Sequence, residues 1–136
     1  MSAYERRKGK TWERKVARIL SDATGLDIRR SADQSRLGSD APDVLAPGVW
    51  LECQAANAKN CNPAAKLAQG EEATDGRPVV AVCKQDRHKP TATMRMRTAA
   101  VLWGVVDLGI REAGPVVTLA LDDFVRMYAL LYGEQQ

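Results

Sequence analysis

Apolar side chains recur at helical spacing near both ends of the chain. The first stripe lies between Thr11 and Thr24, and Gly25 stands where such a helix would end. Its members are Trp12, Val16, Ile19, Leu20 and Ala23. The second stripe follows Asp122, which predicts a last helix with that residue as its N-cap. Its members are Phe124, Met127, Tyr128 and Leu131. The polar and basic residues 1–9 predict a flexible arm before the first helix.

Between these stripes, short apolar runs predict the strands of a sheet. The run from Val79 to Cys83 is uninterrupted, which is typical of a buried central strand. Further strands are predicted over residues 26–30, 43–46, 49–54, 91–97, 101–106 and 116–121. Asn62-Pro63 predicts the start of a helix that continues to about Thr74. The pattern therefore predicts one α/β domain, in which helices flank a central mixed sheet with an antiparallel hairpin and one helical crossover.

Residues 43–54 predict a hairpin that brings two carboxylates together. With Pro47-Gly48 as its turn, an even-length loop places Asp43 opposite Glu52. Directly opposed side chains on one sheet face lie about 4.5–5.5 Å apart at Cβ, and like charges there repel each other. A divalent cation held by oxygen ligands would remove this repulsion. The alternative is a pair of solvated acids on an exposed strand.

Size, cysteine content and charge narrow the class of protein. The chain of 136 residues is long enough for one compact domain, and its three cysteines form no CxxC pair. We therefore expect reduced thiols and a cytoplasmic protein, and no apolar run is long enough for a membrane span. The net charge is only +3, but basic residues are concentrated in residues 6–36 and 84–97, and the C-terminal part is acidic. This asymmetry favours a polyanion such as nucleic acid as the partner.

Cysteine and histidine do not form a recognisable zinc pattern. The spacing of Cys53, Cys61, Cys83 and His88 fits none of the common zinc motifs. Cys53 and Cys83 fall in apolar strands and are expected to be small buried hydrophobic residues. A zinc site is therefore the weaker interpretation of these residues.

Taken in order, a carboxylate in the first helix, a Pro-Asp pair and a Glu-x-Lys position on the next strand resemble the PD-(D/E)XK nuclease superfamily. Within it, the chain is most similar to the small Holliday-junction-resolvase-like nucleases of bacteria and their phages. The matching segments are Lys8-Gly9-Lys10 with Glu13, Arg29-Arg30-Ser31, Ala41-Pro42-Asp43-Val44, Leu51-Glu52-Cys53, Gln69 and Arg77-Pro78-Val79-Val80. The resemblance covers about residues 8–84, with a short echo at residues 118–124, and residues 85–115 are interpreted as an insertion.

The resemblance implies a restriction-endonuclease-like fold and a metal-dependent endonuclease that hydrolyses DNA phosphodiester bonds, with branched or Holliday-junction DNA as a candidate substrate. Mg²⁺ would be the cofactor, Mn²⁺ would substitute for it, and no small-molecule cofactor is implied. By position, Asp43, Glu52 and the backbone carbonyl of Cys53 would bind the metal. Glu13 would complete the metal site, and Gln69 would help to order it. A homodimer would place two such sites on a two-fold junction.

One position departs from the superfamily pattern, because Gln54 stands where the motif has lysine. Glutamine can donate a hydrogen bond to water or phosphate, but it carries no charge. Lys84, at the end of the neighbouring strand, is the first candidate to replace the lysine, and Lys59 is the second. The opposing interpretation is a nuclease fold that has lost catalysis and retains DNA binding.

DNA contacts are expected mostly with the sugar-phosphate backbone. The residues assigned to phosphate contacts are Arg29, Arg30 and Arg36, with Lys8 and Lys10 as second candidates. Trp12 and Trp103 are expected in the core, so the sequence gives little support for base stacking. Recognition is therefore predicted to depend on charge and DNA shape more than on base contacts.

Overall fold

A computed structural model describes residues 2–31, 41–104 and 114–134 of the chain. Its strands are β1 (Arg29–Arg30), β2 (Val44–Ala46), β3 (Val49–Ala56), β4 (Val79–Gln85), β5 (Thr91–Arg95) and β6 (Val116–Ala120). Its helices are α1 (Ala3–Thr24), α2 (Pro63–Ala73), α3 (Met96–Leu102) and α4 (Leu121–Tyr132). No helix among these described residues is long and apolar enough to cross a membrane.

The six strands form one mixed sheet in the order in which they follow each other along the chain. Neighbouring strands are antiparallel except for β3 and β4, which are parallel and are joined through α2. A parallel pair needs such a crossover, because the chain must return to the same end of the sheet. The predicted α/β class, the antiparallel hairpin and the helical crossover are confirmed.

The sheet is covered on both faces. On one face, α1 and α4 pack over alternate residues of the central strands, including Leu51, Cys53, Val80 and Val82. On the other face, α2 covers the residues between them through a smaller cluster. Its buried members are Trp50, Leu67, Val79, Ala81 and Cys83. The alternation of side chains along β3 and β4 thus serves two cores, which explains why β4 begins as a continuous apolar run.

The helix α1 is longer than the sequence predicted. It begins at Ala3, and the Ser2 hydroxyl caps it by accepting a hydrogen bond from the backbone N–H of Glu5 at 3.1 Å. The predicted arm over residues 1–9 is therefore wrong for the described part of that segment. The apolar stripe of α1 starts only at Trp12, so it gives no indication of the turns before it. These turns are held partly by an ion pair between Lys8 and Asp86, just beyond β4. The predicted end at Gly25 is confirmed, with a left-handed φ of 75°.

The segment after β5 also differs from the prediction. Residues 96–102 form α3 and residues 103–104 a turn, so the strand predicted over 101–106 is wrong as far as Gly104, and residues 105–106 lie outside the described residues. Trp103, predicted in the core, is 61% exposed. The buried face of α3 is built from small residues such as Ala99 and Ala100, which favour helix over strand. The strand β5 pairs with both β4 and β6, and an insertion over residues 85–115 remains a prediction.

The last helix begins two residues earlier than predicted. Its N-cap is Ala120, which makes no side-chain cap hydrogen bond. Asp122, predicted to be the cap, lies in the first turn together with Asp123. A negative charge there favours the helix through its interaction with the N-terminal dipole, so the residue stabilises the same end by a different contact. Phe124 and Tyr128 lie in the core as predicted.

Gly70 allows α2 to approach the sheet closely, and we expect Gly70→Ala to destabilise the protein by about 1–3 kcal/mol. A Cβ at this position would collide with Val79 Cγ1 and would lie 2.9 Å from Glu52 Cγ. Alanine is the better helix former by about 1 kcal/mol, so the overlap must outweigh that gain. Gly9→Ala on α1 is the matched control, because its Cβ would meet nothing within 4 Å. Urea unfolding of both variants tests this, and an equal or higher stability of Gly70→Ala contradicts the close packing.

Candidate active site

Seven of the predicted site residues line one open cavity of about 840 Å³, here called the site pocket: Lys8, Lys10, Glu13, Arg30, Asp43, Cys53 and Gln54. It lies between α1 and the N-terminal part of α2, at the end of the sheet where the β2–β3 hairpin opens. Charged and polar side chains dominate its wall. Those used below are Lys8, Lys10, Glu13, Arg30, Asp43, Gln54 and Lys66. The pocket is large enough and open enough to admit a phosphate group with part of its chain.

Asp43 and Glu52 form a buried carboxylate pair. Asp43 stands just before the paired residues of β2, whose first pair is Val44 with Leu51, and its backbone N–H donates to the carbonyl of Leu51 at 2.9 Å. Its negative charge acts on Glu52, so the hairpin brings the two side chains close together. Asp43 is 6% exposed and lines the site pocket, whereas Glu52 is 1% exposed and lies behind it. The pair is therefore not an arrangement of solvated acids, which was the alternative interpretation.

Hydrogen bonds fix the direction of both carboxylates. The backbone N–H of Cys53 donates to Asp43 Oδ2 at 2.8 Å. The Trp50 indole N–H donates to Glu52 Oε1 at 2.9 Å. The second oxygen of Glu52, Oε2, is buried and has no hydrogen-bond donor. A buried carboxylate oxygen in this state is costly, and a proton or a cation would satisfy it.

The electrostatics of Glu52 reflect this position. Burial is the main cause that raises the pKa of Glu52 from 4.5 to about 7, and the negative charge of Asp43 adds to it. The hydrogen bond from Trp50 and the charge of Lys66 act in the opposite direction. Near neutral pH the metal-free pair therefore holds a proton for part of the time, because two adjacent buried carboxylates do not both ionise easily.

Glu13 stands beside this pair on α1 and is held by an arginine. Arg30 Nε donates to Glu13 Oε2 at 2.6 Å, and both side chains are mostly buried. Burial, followed by the charge of Asp43, raises the pKa of Glu13, and Arg30 partly offsets this. Arg30 was assigned to phosphate, but in the structure its guanidinium serves a carboxylate inside the pocket.

The three carboxylates do not form a ready-made cluster of metal ligands. Within residues 2–31, 41–104 and 114–134, no three His, Cys, Asp or Glu side chains are close enough together to hold an ion. The zinc interpretation has no support in this part of the chain, and Cys53 and Cys83 are buried as expected. Oxygen atoms for a cation come first from Asp43 and Glu52, with Glu13 next to them.

Gln54 uses its amide to fix the start of α2. Its Oε1 accepts a hydrogen bond from the backbone N–H of Asn62 at 2.8 Å, and its Nε2 donates to the carbonyl of Asn60 at 3.2 Å. Asn62 is the N-cap of α2, and its side chain accepts from the N–H of Ala65 at 3.0 Å. The predicted cap is confirmed. The residue at the motif position therefore holds a helix at the edge of the pocket.

Neither lysine proposed from the sequence lines the site pocket. Lys84 Nζ donates to the carbonyl of Gln85 at 2.9 Å and lines a separate cavity beside α1. Lys59 is exposed and is not among the described residues of the pocket wall. Gln69 is also exposed, and its Oε1 lies 3.4 Å from Lys66 Nζ. Strand register predicts which strand residues lie close together, but it gives no information about the side chains that a helix contributes.

Lys66 is the pocket residue that sequence reasoning missed. It is half-buried on α2 and lines the site pocket. Its positive charge lowers the pKa of both Glu13 and Glu52, although in each case this is a smaller influence than burial. The sequence contained one indication of this position. Lys66 follows the N-cap Asn62 by one helical turn and precedes the buried Leu67, so it lies next to the buried face of α2.

The basic rim is only partly as predicted. Lys8 and Lys10 line the site pocket from α1, and Lys8 is paired with Asp86. Arg29 is 76% exposed at its side chain and pairs with Asp27. Arg36 lies outside the described residues. Helices α1 and α2 therefore supply Lys8, Lys10 and Lys66 to the pocket wall, and of the arginines assigned to phosphate contacts only Arg30 is among its described residues.

No family model matches the chain, and no curated protein matches it. Among solved structures, the chain is similar to Hjc, a Holliday junction resolvase from the archaeal hyperthermophile Archaeoglobus fulgidus. The two share 17% identity with a TM-score of 0.42, over 94% of this chain and 91% of that one. The functional assignment therefore rests on the side chains of the site pocket.

Proposed function

We propose that this protein is a Mg²⁺-dependent nuclease that hydrolyses phosphodiester bonds of DNA. The observation that carries the proposal is the buried oxygen of Glu52 that lacks a donor, next to Asp43 at the wall of an open pocket with basic residues on its rim. The order of motifs along the sequence supports the same assignment. A pair that is unfavourable without a cation is expected where a cation is needed for function.

The residues of the pocket fit a hard divalent cation. Carboxylate oxygens are the ligands that Mg²⁺ prefers, and the N–H groups of Cys53 and Trp50 orient one carboxylate each. When bound, Mg²⁺ would bind a phosphate oxygen and lower the pKa of a coordinated water. The carbonyl of Cys53 remains a predicted further ligand.

The chain's own residues have distinct roles in the proposed reaction. Asp43 and Glu52 would hold the cation, and both would have to be ionised to bind it. Glu13 is the carboxylate closest to them from α1, and Arg30 holds it in place. Lys8 and Lys10 on the rim attract the phosphate backbone. The walls of the pocket therefore combine a cation site with a path for a polyanion.

The DNA substrate and the assembly extend this proposal. Branched or junction DNA and a homodimer follow from the superfamily resemblance, in which a two-fold dimer presents two pockets to two-fold related strands. We propose both on that ground. Soluble protein in the cytoplasm, where its DNA substrate would be found, is the corresponding expectation for location.

A second candidate is a DNA-binding module that no longer cuts. Gln54 favours it, because the motif lysine is absent and the amide is engaged with the loop before α2. Such a module would bind DNA with a steep salt dependence that does not change when divalent ions are removed.

Incubation with DNA separates these candidates. We expect purified protein with Mg²⁺ or Mn²⁺ to cut junction, flap or linear duplex DNA, and we expect EDTA to abolish cutting while salt-dependent binding persists. A gel assay with end-labelled substrates measures both. If all three DNA forms stay intact under conditions in which a control nuclease cuts them, the enzyme proposal is wrong and the binding module is favoured.

A further inference from the structure

Glu13 and Asp43 line the site pocket, and Glu52 lies behind Asp43. Among the cations of the wall, Arg30 is already paired with Glu13, and Lys10 is exposed on α1. Lys8 is paired with Asp86 at the rim. The catalytic arrangement of a phosphodiester hydrolase needs positive charge near the reacting phosphate, in addition to its metal. A cation beside the acidic pair is therefore the missing element of the site.

Lys66 is placed to supply that charge. It lines the pocket from α2 and is half-buried, so its ammonium group is less screened than one on the open surface. Its Nζ makes a long contact of 3.4 Å with the neutral amide oxygen of Gln69. It is close enough to both Glu13 and Glu52 for its charge to favour their ionised forms.

The position of Lys66 depends on Gln54. The Gln54 amide receives the backbone N–H of Asn62, and the carbonyl of Asn62 accepts the N–H of Lys66 at 3.1 Å as a first-turn hydrogen bond of α2. One turn further along, Gly70 lets the helix close onto Glu52. A short chain of contacts thus runs from the strand position that would carry the motif lysine to a lysine on the neighbouring helix.

We propose that Lys66 is a catalytic residue that provides the positive charge at the reacting phosphate, and that Gln54 is a positioning residue that holds α2 so that Lys66 reaches the pocket. This inference rests on the proposed nuclease function and names the residue that makes it possible without a lysine at position 54. The positive charge thus comes from Lys66 on a helix, where the motif has a lysine on a strand. The residue at the strand position, Gln54, holds that helix in place.

The test compares three variants with wild type on the DNA that wild type cuts. Lys66→Met keeps the length of the side chain and removes its charge, and we expect kcat to fall about 10²–10³-fold. Lys66→Arg keeps the charge and is expected to retain activity within about tenfold of wild type. The double variant with Gln54→Lys and Lys66→Met is expected to cut at least tenfold faster than Lys66→Met alone. Arg126→Met removes one positive charge from the exposed side of α4, outside the site pocket; it is the matched control and should cut like wild type.

A second measurement does not depend on cleavage. Removing a positive charge beside Glu52 should make the pocket more attractive to a cation, so Lys66→Met should bind Mn²⁺ about three- to tenfold more tightly in a calorimetric titration. A loss of local structure would instead weaken Mn²⁺ binding. The titration therefore separates a role of the charge from a structural role of the side chain.

The outcomes are distinguishable. Wild type that cuts, together with Lys66→Met that cuts equally well, overturns this inference and leaves the proposed function standing. Slower cutting combined with weaker Mn²⁺ binding and no recovery by Gln54→Lys also overturns it, because the lysine would then be structural. Wild type that cuts no DNA overturns the proposed function and the catalytic role together, and the titration still measures whether the charge of Lys66 acts on the pair.

Discussion

Asp43→Asn is expected to lower the rate of DNA cleavage by at least about 10³-fold while leaving the fold and DNA binding intact. Asparagine keeps the shape of the side chain, and its carbonyl oxygen can still accept the N–H of Cys53, which now donates to Asp43 Oδ2 at 2.8 Å. What is lost is the negative charge and one oxygen ligand for the cation. Its NH₂ group can also donate to the carboxylate opposite, which removes a repulsion.

Cleavage of labelled DNA with Mg²⁺ and a separate binding titration in EDTA measure the two effects. Asp123→Asn, in the exposed first turn of α4, is the matched control and should leave both unchanged. Cleavage by Asp43→Asn within tenfold of wild type would remove Asp43 from the metal site. A parallel loss of DNA binding and of thermal stability would mean that the residue is needed for the fold.

Glu52→Gln is expected to stabilise the metal-free protein at pH 8 by about 1–3 kcal/mol and to abolish cleavage. The pKa of Glu52 is raised from 4.5 to about 7, chiefly by burial and then by Asp43. Below pH 4.5 the side chain is neutral in folded and unfolded states alike, so no penalty arises. Between pH 4.5 and 7 the unfolded state loses the proton first, so the stability of wild type falls as pH rises through this range.

Above pH 7 the full cost is present, because the folded state must hold a buried charge beside Asp43. Glutamine can accept the Trp50 N–H through its oxygen, as Glu52 Oε1 does at 2.9 Å, and carries no charge to titrate. The variant should therefore lack this fall in stability with pH. Mg²⁺ should stabilise wild type at pH 8 more than at pH 5, and should have little effect on the variant.

Urea unfolding at pH 5 and pH 8, with and without Mg²⁺, measures these differences. Glu72→Gln on the exposed side of α2 is the matched control and should change the free energy of unfolding by less than about 0.5 kcal/mol. A Glu52→Gln variant that is less stable than wild type at pH 8 would mean that the carboxylate has a stabilising partner, and the case for a cation site would fail.

The expected results for these two variants share one physical basis: the acidic pair lowers the stability of the metal-free protein and is needed for cleavage. A buried pair with an oxygen that lacks a donor lowers the stability of the metal-free protein. Such a cost is common where a charged group is kept for binding or catalysis. Gly70 contributes in the same way, because it gives up helix propensity so that α2 can lie against Glu52. The acidic pair and its helix are thus one unit, and the packing that holds them is local to the pocket.

The sequence by itself determined the parts of this protein that follow from local rules. The turn at Pro47-Gly48 and the alternation along its strands set the β2–β3 register, which brings Asp43 close to Glu52. The N-cap at Asn62 and the end of α1 at Gly25 could also be predicted, because helix capping and left-handed backbone depend on neighbouring residues.

Only the tertiary structure decided which groups from other elements meet that pair. The approach of α2 brings Lys66 to the pocket and leaves Lys84 beside a different cavity, and the approach of α1 joins Glu13 to Arg30. These contacts depend on how helices dock onto the sheet through side chains far apart in the chain, and periodicity within one segment contains no information about that docking. The same limit explains the exposed Trp103, because the apolar run before it fits a helix and a strand equally well.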